Sequence, residues 1–204
     1  MYLKNLSLIN FKNFANFDME FCPKINCFTG DNGTGKTNIM DSIHYLSFCK
    51  SFINLSDRQN IKTGEDFFVI QGDFELFENT ETIYCGLQVN KKKSFRRNGV
   101  EYSKLSEHIG LLPVVFTNPY DSNLLHEGSE FRRKFSDTVI SQFNHEYLND
   151  LITYNRILDQ RNNMLKNVQR GTKMDFDEVG IWNIQLAETG KRIYNSRNVF
   201  SNEI

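Results

Sequence analysis

This 204-residue chain has no long apolar run and no excess of either charge. No stretch approaches the roughly 20 apolar residues that cross a bilayer, and no basic-then-apolar leader precedes the first strand-like segment. Both absences predict a cytosolic protein with no membrane partner. The cysteines Cys22, Cys27, Cys49 and Cys85 form no C-x-x-C pair, and no histidines cluster with them. That argues against zinc and against a disulfide framework, and predicts reduced, mostly buried thiols. A formal net charge of −1 is not that of a bulk polycation, so any grip on nucleic acid must come from a local basic surface. The guanine motif of a GTPase is missing as well: the only Asn-Lys, Asn90-Lys91, runs into Lys92 and Lys93. A chain of this length can bury one substantial core and a smaller second lobe.

The stretch "FTGDNGTGKTNIMDSIHYL", beginning at Phe28, is the most informative one present. An apolar run from Ile25 to Phe28 leads in, glycines punctuate a polar loop, and an amphipathic segment follows, which predicts strand, loop and helix. The spacing Gly30-x-x-x-x-Gly35-Lys36-Thr37 fits the phosphate-binding P-loop in full. Such a loop winds its backbone N–H groups toward phosphate oxygens, and the helix start adds the positive end of its dipole. Lys36 is placed to reach the β- and γ-phosphates, and the Thr37 hydroxyl to ligate Mg²⁺. In the following helix Ile39, Met40, Ile43 and Leu46 recur at helical spacing and predict the face that packs on a sheet.

Upstream, "LKNLSLINF" and "FDMEF" read as strands, the second with Phe17, Met19 and Phe21 on one face. Downstream, "FFVIQGDFEL" alternates Phe68, Ile70, Phe74 and Leu76, and "TIYCGLQV" alternates Ile83, Cys85, Leu87 and Val89. These predict antiparallel strands with one wet face. Asn98-Gly99 between short extended arms predicts a two-residue hairpin turn. After the strand-like "PVVF" and the loop "TNPYDSNLLHEG" the period becomes helical. One helical run is expected from Ser129 to Arg170, with Phe131, Phe135, Val139, Leu148, Leu151, Ile152, Leu158 and Leu165 inward, and Gly171 ending it. A second begins near Asp175 with Phe176, Val179, Trp182, Leu186 and Ile193 as its apolar side, so an antiparallel helical hairpin is expected. No internal repeat or low-complexity tract is present.

A P-loop ATPase also needs a second acidic site, usually an apolar strand ending in Asp, to hold Mg²⁺. "FFVIQGD" and "PVVFTNPYD" are the nearest segments and both match poorly. The pattern at "SRNVFSNEI" carries no cap or breaker, which gives the expectation that the chain is part of a longer protein.

The segments "YLKNLSLINFKNF", "GDNGTGKTNIMDSIHYLSFCKSF", "VVFTNPYDSNLLHEGSEFRRKFSD" and "YNRILDQRNNMLK", in that order, resemble the RecF family of bacterial recombinational repair ATPases over nearly the whole chain. The resemblance implies an α/β fold: the N-terminal part of an ABC/SMC-type P-loop ATPase head, with a mixed sheet and P-loop helix at 1–125 (lobe I) and an incomplete helical arm at 126–204 (lobe II). It implies ATP and Mg²⁺ as cofactors, held here by Gly30, Asp31, Asn32, Gly33, Thr34, Gly35, Lys36 and Thr37. It further implies binding of double-stranded or gapped DNA, an ATP-dependent homodimer that acts as a clamp, RecR and RecO as partners, and roles in repair, replication and the SOS response. Hydrolysis would be slow in the full-length protein and negligible in this portion, with the signature and acidic motifs beyond Ile204.

Other positions leave two readings open. Lys12 and Asn13 sit where related ATPases often place a base- or phosphate-contacting group, or they form a solvated turn. Asp121 stands where ABC enzymes carry a γ-phosphate-sensing glutamine; it is a substitute near Mg²⁺ or a turn residue. Lys91, Lys92, Lys93, Arg96 and Arg97 surround the hairpin, either gripping DNA phosphates or charging a sheet edge, and the resemblance favours DNA. Arg132, Arg133 and Lys134 read as a solvated helix face or an interdomain ion-pair set. The alternative to the RecF reading is another P-loop protein, a kinase or an ABC-type ATPase subunit, although an antiparallel meander is unusual for a kinase.

Overall fold

The computed structural model describes residues 1–54, 56–77, 79–118, 121, 128–169 and 176–203. It divides into two compact units, Met1–Phe116 and Thr117–Ile204.

The first unit is built on six strands, β1 (Tyr2–Phe11), β2 (Phe14–Glu20), β3 (Phe67–Leu76), β4 (Asn79–Gln88), β5 (Ser94–Arg97) and β6 (Val100–Glu101). They lie in the order β2-β1-β3-β4-β5-β6, and every ladder among the described residues is antiparallel, so the expected mixed sheet is corrected to an antiparallel one: β1 pairs with β3, the other ladders join strands consecutive in sequence, and no parallel crossover joins them. The alternation in the sequence sets the register: Leu6 and Leu8 of β1, Phe68, Ile70 and Phe74 of β3, Ile83 and Cys85 of β4, and Phe95 of β5 are all buried. Helix α1 (Lys36–Phe48) supplies Tyr45 and Leu46 to the same core, where Tyr45 meets the rings of Phe11 and Phe68 edge-on. Asn98 and Gly99 both have positive φ, 50° and 80°, as the predicted two-residue turn between β5 and β6 requires.

Three further expectations are corrected in this unit. The runs Ile25–Phe28 and Pro113–Phe116 form no ladder with any strand among the described residues. A strand needs a neighbour for its N–H and C=O groups, and apolar composition alone does not say whether one lies beside it. Before the P-loop the chain instead closes a local turn, with the Asn26 side chain bonded to both the N–H and the C=O of Cys22. The α1 face is also broader than predicted. Met40 is 40% exposed, whereas Asp41, Ser42 and every residue from His44 to Phe48 are buried. Segments after the helix cover the sides that a simple amphipathic count leaves wet: Ser51 and Phe52 bond Asp41, and Ser47 bonds the Leu112 carbonyl. Finally, only two of the four free thiols, Cys49 and Cys85, are buried; Cys22 and Cys27 are exposed.

The second unit contains α2 (Ser129–Phe143), α3 (His145–Gln169) and α4 (Phe176–Glu203). Asp150 pairs with Arg192, Arg161 bonds Asn183, and a Cβ on Gly190 would touch Tyr154. These contacts run in opposite directions along α3 and α4, so the two form the expected antiparallel hairpin. Ile140 of α2 packs with Tyr147 of α3 and Ile193 of α4 in a buried cluster of this unit. The expected single run from 129 is broken at Asn144, which leaves the helical region at φ −128° and ψ 96°. Its N–H closes α2 on the Ile140 carbonyl, and its Oδ1 accepts the Tyr147 N–H, so one residue ends α2 and caps α3. The break resets the helical phase. Tyr147, Leu151, Tyr154 and Ile157 turn inward or half-inward, while Phe131 and Phe135 are 45% exposed and Ile152 is 48% exposed. The predicted break at Gly171 lies outside the described residues.

Candidate phosphate-binding site

The loop from Gly30 to Gly35 joins the irregular segment after β2 to the start of α1. Gly30, Gly33 and Gly35 have φ of 143°, 84° and 108°. Gly35 is the most constrained of them, because a Cβ there would lie 2.6 Å from the Phe14 ring and 2.7 Å from the Asn13 amide. A side chain there would displace the Phe14 ring and the Asn13 amide, on a backbone whose positive φ already favours glycine. Lys36 folds back over the loop, its Nζ donating to the carbonyls of Gly30 and Asp31 at 2.7 Å each. Thr34 Oγ1 bonds the Asp31 carbonyl at 2.9 Å and tightens the same curve. Helix α1 has no side-chain cap on Gly35 and no acidic residue in its first turn. The positive end of its dipole is therefore not neutralised locally, an arrangement that favours an anion. Thr37 is exposed in that first turn.

The helix is held from below by a buried ion pair. Asp41 is fully buried and receives Lys12 Nζ at 2.5 Å, Ser51 Oγ at 2.7 Å and the Phe52 N–H at 2.7 Å. Lys12 is thus committed to the helix that follows the loop, and neither a free phosphate contact nor a solvated turn describes it. Asn13 bonds the Thr34 carbonyl at 3.1 Å and the Asn38 amide at 2.7 Å. On the far side of α1, His108 is buried, with Nε2 donating to the Leu46 carbonyl at 2.6 Å and Nδ1 facing the Tyr102 hydroxyl at 3.0 Å. Burial lowers its pKa to about 4, only partly opposed by the Leu46 carbonyl. His44 is lowered for the same reason.

The five basic residues of the hairpin divide into two sets. Lys91, Lys92 and Arg96 are exposed, and the Arg96 guanidinium lies over the Tyr84 ring. Lys93 instead points inward to the Asp57 carboxylate at 2.7 Å, the Cys49 carbonyl at 2.6 Å and the Tyr45 hydroxyl at 3.2 Å. Burial pushes the Cys49 thiol up to about 12 in this cluster and raises Tyr45 as well. Arg97 forms a two-point pair with Glu81 at 2.8 Å in each arm, and its hydrogen bonds hold the Glu81 carboxyl below the usual range. Arg133 bonds Ser129 on the exposed start of α2, beside exposed Arg132 and Lys134.

The acidic candidates serve local structure. Asp73 accepts from Thr82 Oγ1 at 2.7 Å. Asp121 accepts the N–H and the side-chain amide of Asn118 at 2.9 Å each, as a turn residue does; most of the loop around it lies outside the described residues. Among the described residues no three His, Cys, Asp or Glu side chains gather as a metal cluster. Thr37 is the residue in the first turn of α1 whose hydroxyl could hold a Mg²⁺ ion, an ion that commonly shares its shell with phosphate oxygens and waters.

The family described as AAA domain matches residues 5–194, nearly the whole chain. The chain belongs to that family. This AAA domain is 46% identical over 204 residues to the DNA replication and repair protein RecF of Bacteroides fragilis, covering all of this chain and 54% of that protein. The chain thus spans about half the length of the curated relatives it matches. A solved structure of the recombination mediator protein RecF with ATP, in the RecFOR pathway, superposes with a TM-score of 0.89 at 32% identity, over 98% of this chain and 54% of that one. An SMC ATPase structure reaches a TM-score of 0.53 at 18% identity, over 71% of this chain and 100% of that one, and shows the fold alone. The RecF resemblance and the α/β, P-loop ATPase-head fold class are both borne out. No helix among the described residues is long and apolar enough to cross a membrane.

Proposed function

We propose that the protein carrying this AAA domain is a RecF-type DNA repair ATPase, in which ATP binding drives two copies together on double-stranded or gapped DNA. The observation that supports this best is the phosphate loop itself: three glycines at positive φ, a lysine folded over their carbonyls and an uncapped helix start. In this reading the loop from Gly30 to Thr37 holds the ATP phosphates, Lys36 neutralises the β- and γ-phosphates, and the Thr37 hydroxyl ligates Mg²⁺. The sheet unit serves as lobe I and the helical unit as the arm.

The β4–β5 turn and strand β5 form the proposed DNA-facing element. Lys91, Lys92 and Arg96 contact phosphates, while Lys93 and Arg97 hold the hairpin to the core through Asp57 and Glu81. The proposal also takes RecO and RecR as partners, the SOS response as setting and the cytoplasm as location, all on the strength of the RecF resemblance. The test is sedimentation of the whole protein with a non-hydrolysable ATP analogue. Wild type is expected to dimerise with nucleotide and Lys36→Ala to stay monomeric; a Lys36→Ala protein that dimerises with wild-type nucleotide dependence refutes the assignment.

A further inference from the structure

Asn13 follows Lys12, whose φ of 53° turns the chain between β1 and β2. From that turn both ends of its amide reach the phosphate loop. Nδ2 donates to the Thr34 carbonyl at 3.1 Å, and Oδ1 accepts from Asn38 Nδ2 at 2.7 Å. A carbonyl oxygen only accepts, so the Thr34 contact fixes which way round the Asn13 amide lies. Thr34 precedes and Asn38 follows Gly35, Lys36 and Thr37, the three residues at the helix start. The amide therefore bridges the segment from both sides. It also lies flat against the segment's backbone, since a Cβ on Gly35 would fall 2.7 Å from Asn13 Nδ2 and 2.9 Å from Oδ1.

The base of the turn does not slide. The Lys12 N–H bonds the Asn60 carbonyl at 2.8 Å, and the Lys12 ammonium is paired with fully buried Asp41 on α1. Asn13 is thus presented from a turn anchored to the same helix whose first residues it braces.

We infer that Asn13 is a positioning residue for the nucleotide phosphates, acting through the backbone of residues 34–38; this rests on the phosphate-loop reading above. Backbone amides bind phosphate well only when their directions are set in advance. Asn13 is itself exposed, so removing its amide disturbs the loop's direction more than the core.

The test is equilibrium binding of ATP, ADP and AMP to the whole protein in wild type, Lys36→Ala, Asn13→Ala, Asn38→Ala and the Asn13→Ala/Asn38→Ala double variant. Asn13→Ala is expected to weaken ATP and ADP roughly tenfold, the scale of one or two lost hydrogen bonds. AMP affinity and the nucleotide-free melting temperature should stay near wild type, and the double variant should be no weaker than the stronger single. Should Asn13→Ala fail to fold, Asn38→Ala, at a half-buried position of the helix start, carries the same expectation. Weakening by Lys36→Ala with wild-type ATP affinity in both asparagine variants overturns this inference and leaves the nucleotide reading standing. Unchanged affinity in Lys36→Ala overturns both.

Discussion

Lowering the pH should destabilise the sheet unit through His108. The ring is fully buried, donates from Nε2 to the Leu46 carbonyl and faces the Tyr102 hydroxyl with Nδ1. Its pKa falls from an ordinary 6.5 to about 4 because burial disfavours the imidazolium. Above pH 6.5 the side chain is neutral whether folded or unfolded, and stability does not depend on it. Between pH 6.5 and about 4 the unfolded chain takes up a proton that the folded chain refuses, so stability falls across that window. At about 1.4 kcal/mol per pH unit the full loss is about 3 kcal/mol. Urea unfolding of wild type and His108→Gln at intervals from pH 7.5 to 4.5 measures it. His44 is lowered in the same direction and contributes to both proteins, so the difference between their slopes isolates His108. The variant should start less stable at pH 7.5 and converge on wild type as the pH falls. Parallel stability curves across the window would refute the reasoning.

Two further perturbations test other contacts. Lys12→Met leaves the Asp41 carboxylate buried without its cation, at a side-chain exposure of 0%. Because Ser51 and the Phe52 N–H still bond it, the loss is placed at the low end for a broken buried pair, about 3 kcal/mol in urea unfolding; a change under about 1 kcal/mol contradicts the role given to the pair. Charge reversal at Lys92 and Arg96 in the whole protein should weaken duplex DNA roughly uniformly across sequences and flatten the salt dependence, as loss of phosphate contacts does. Unchanged affinity and slope would return the hairpin to a charged sheet edge.

Much of the first unit was legible because its strands alternate cleanly. β3 and β4 each carry their buried side chains at every second position, as β1 does through Leu6, Leu8 and Asn10 before Phe11 breaks the parity at its end, and Asn98-Gly99 marks a turn that few other residue pairs can make. The phosphate loop was legible for a related reason, since its glycine spacing reflects a backbone demand. The helices were less so. Asn144 breaks a run with helical periodicity on both sides, and the inward face of α3 then centres on Tyr147 and Ile157, with the predicted Leu148, Leu151 and Leu158 half-buried beside them and the predicted Ile152 exposed. Within β5 the opposite fates of Arg96 and Arg97 were available in the pattern, because Arg97 shares the parity of buried Phe95 and Arg96 does not; Lys91, exposed although it shares the parity of Lys93, precedes the strand and follows no such rule. Contacts such as Asn13 with Thr34, 21 positions apart, leave no periodic trace. Nor does an apolar run such as Ile25–Phe28 state whether a neighbouring strand pairs with it.

The central claim, that the Gly30–Thr37 loop recognises a nucleotide by its phosphate chain, is tested most directly by comparing ATP, ADP and AMP affinities in wild type and Lys36→Ala. Phosphates are the charges that the loop amides, the helix start and the Lys36 ammonium can address. Wild-type affinity should therefore climb with the number of phosphates, and Lys36→Ala should flatten that climb. Equal affinity for the three nucleotides in wild type, or the same climb in Lys36→Ala, would contradict the account.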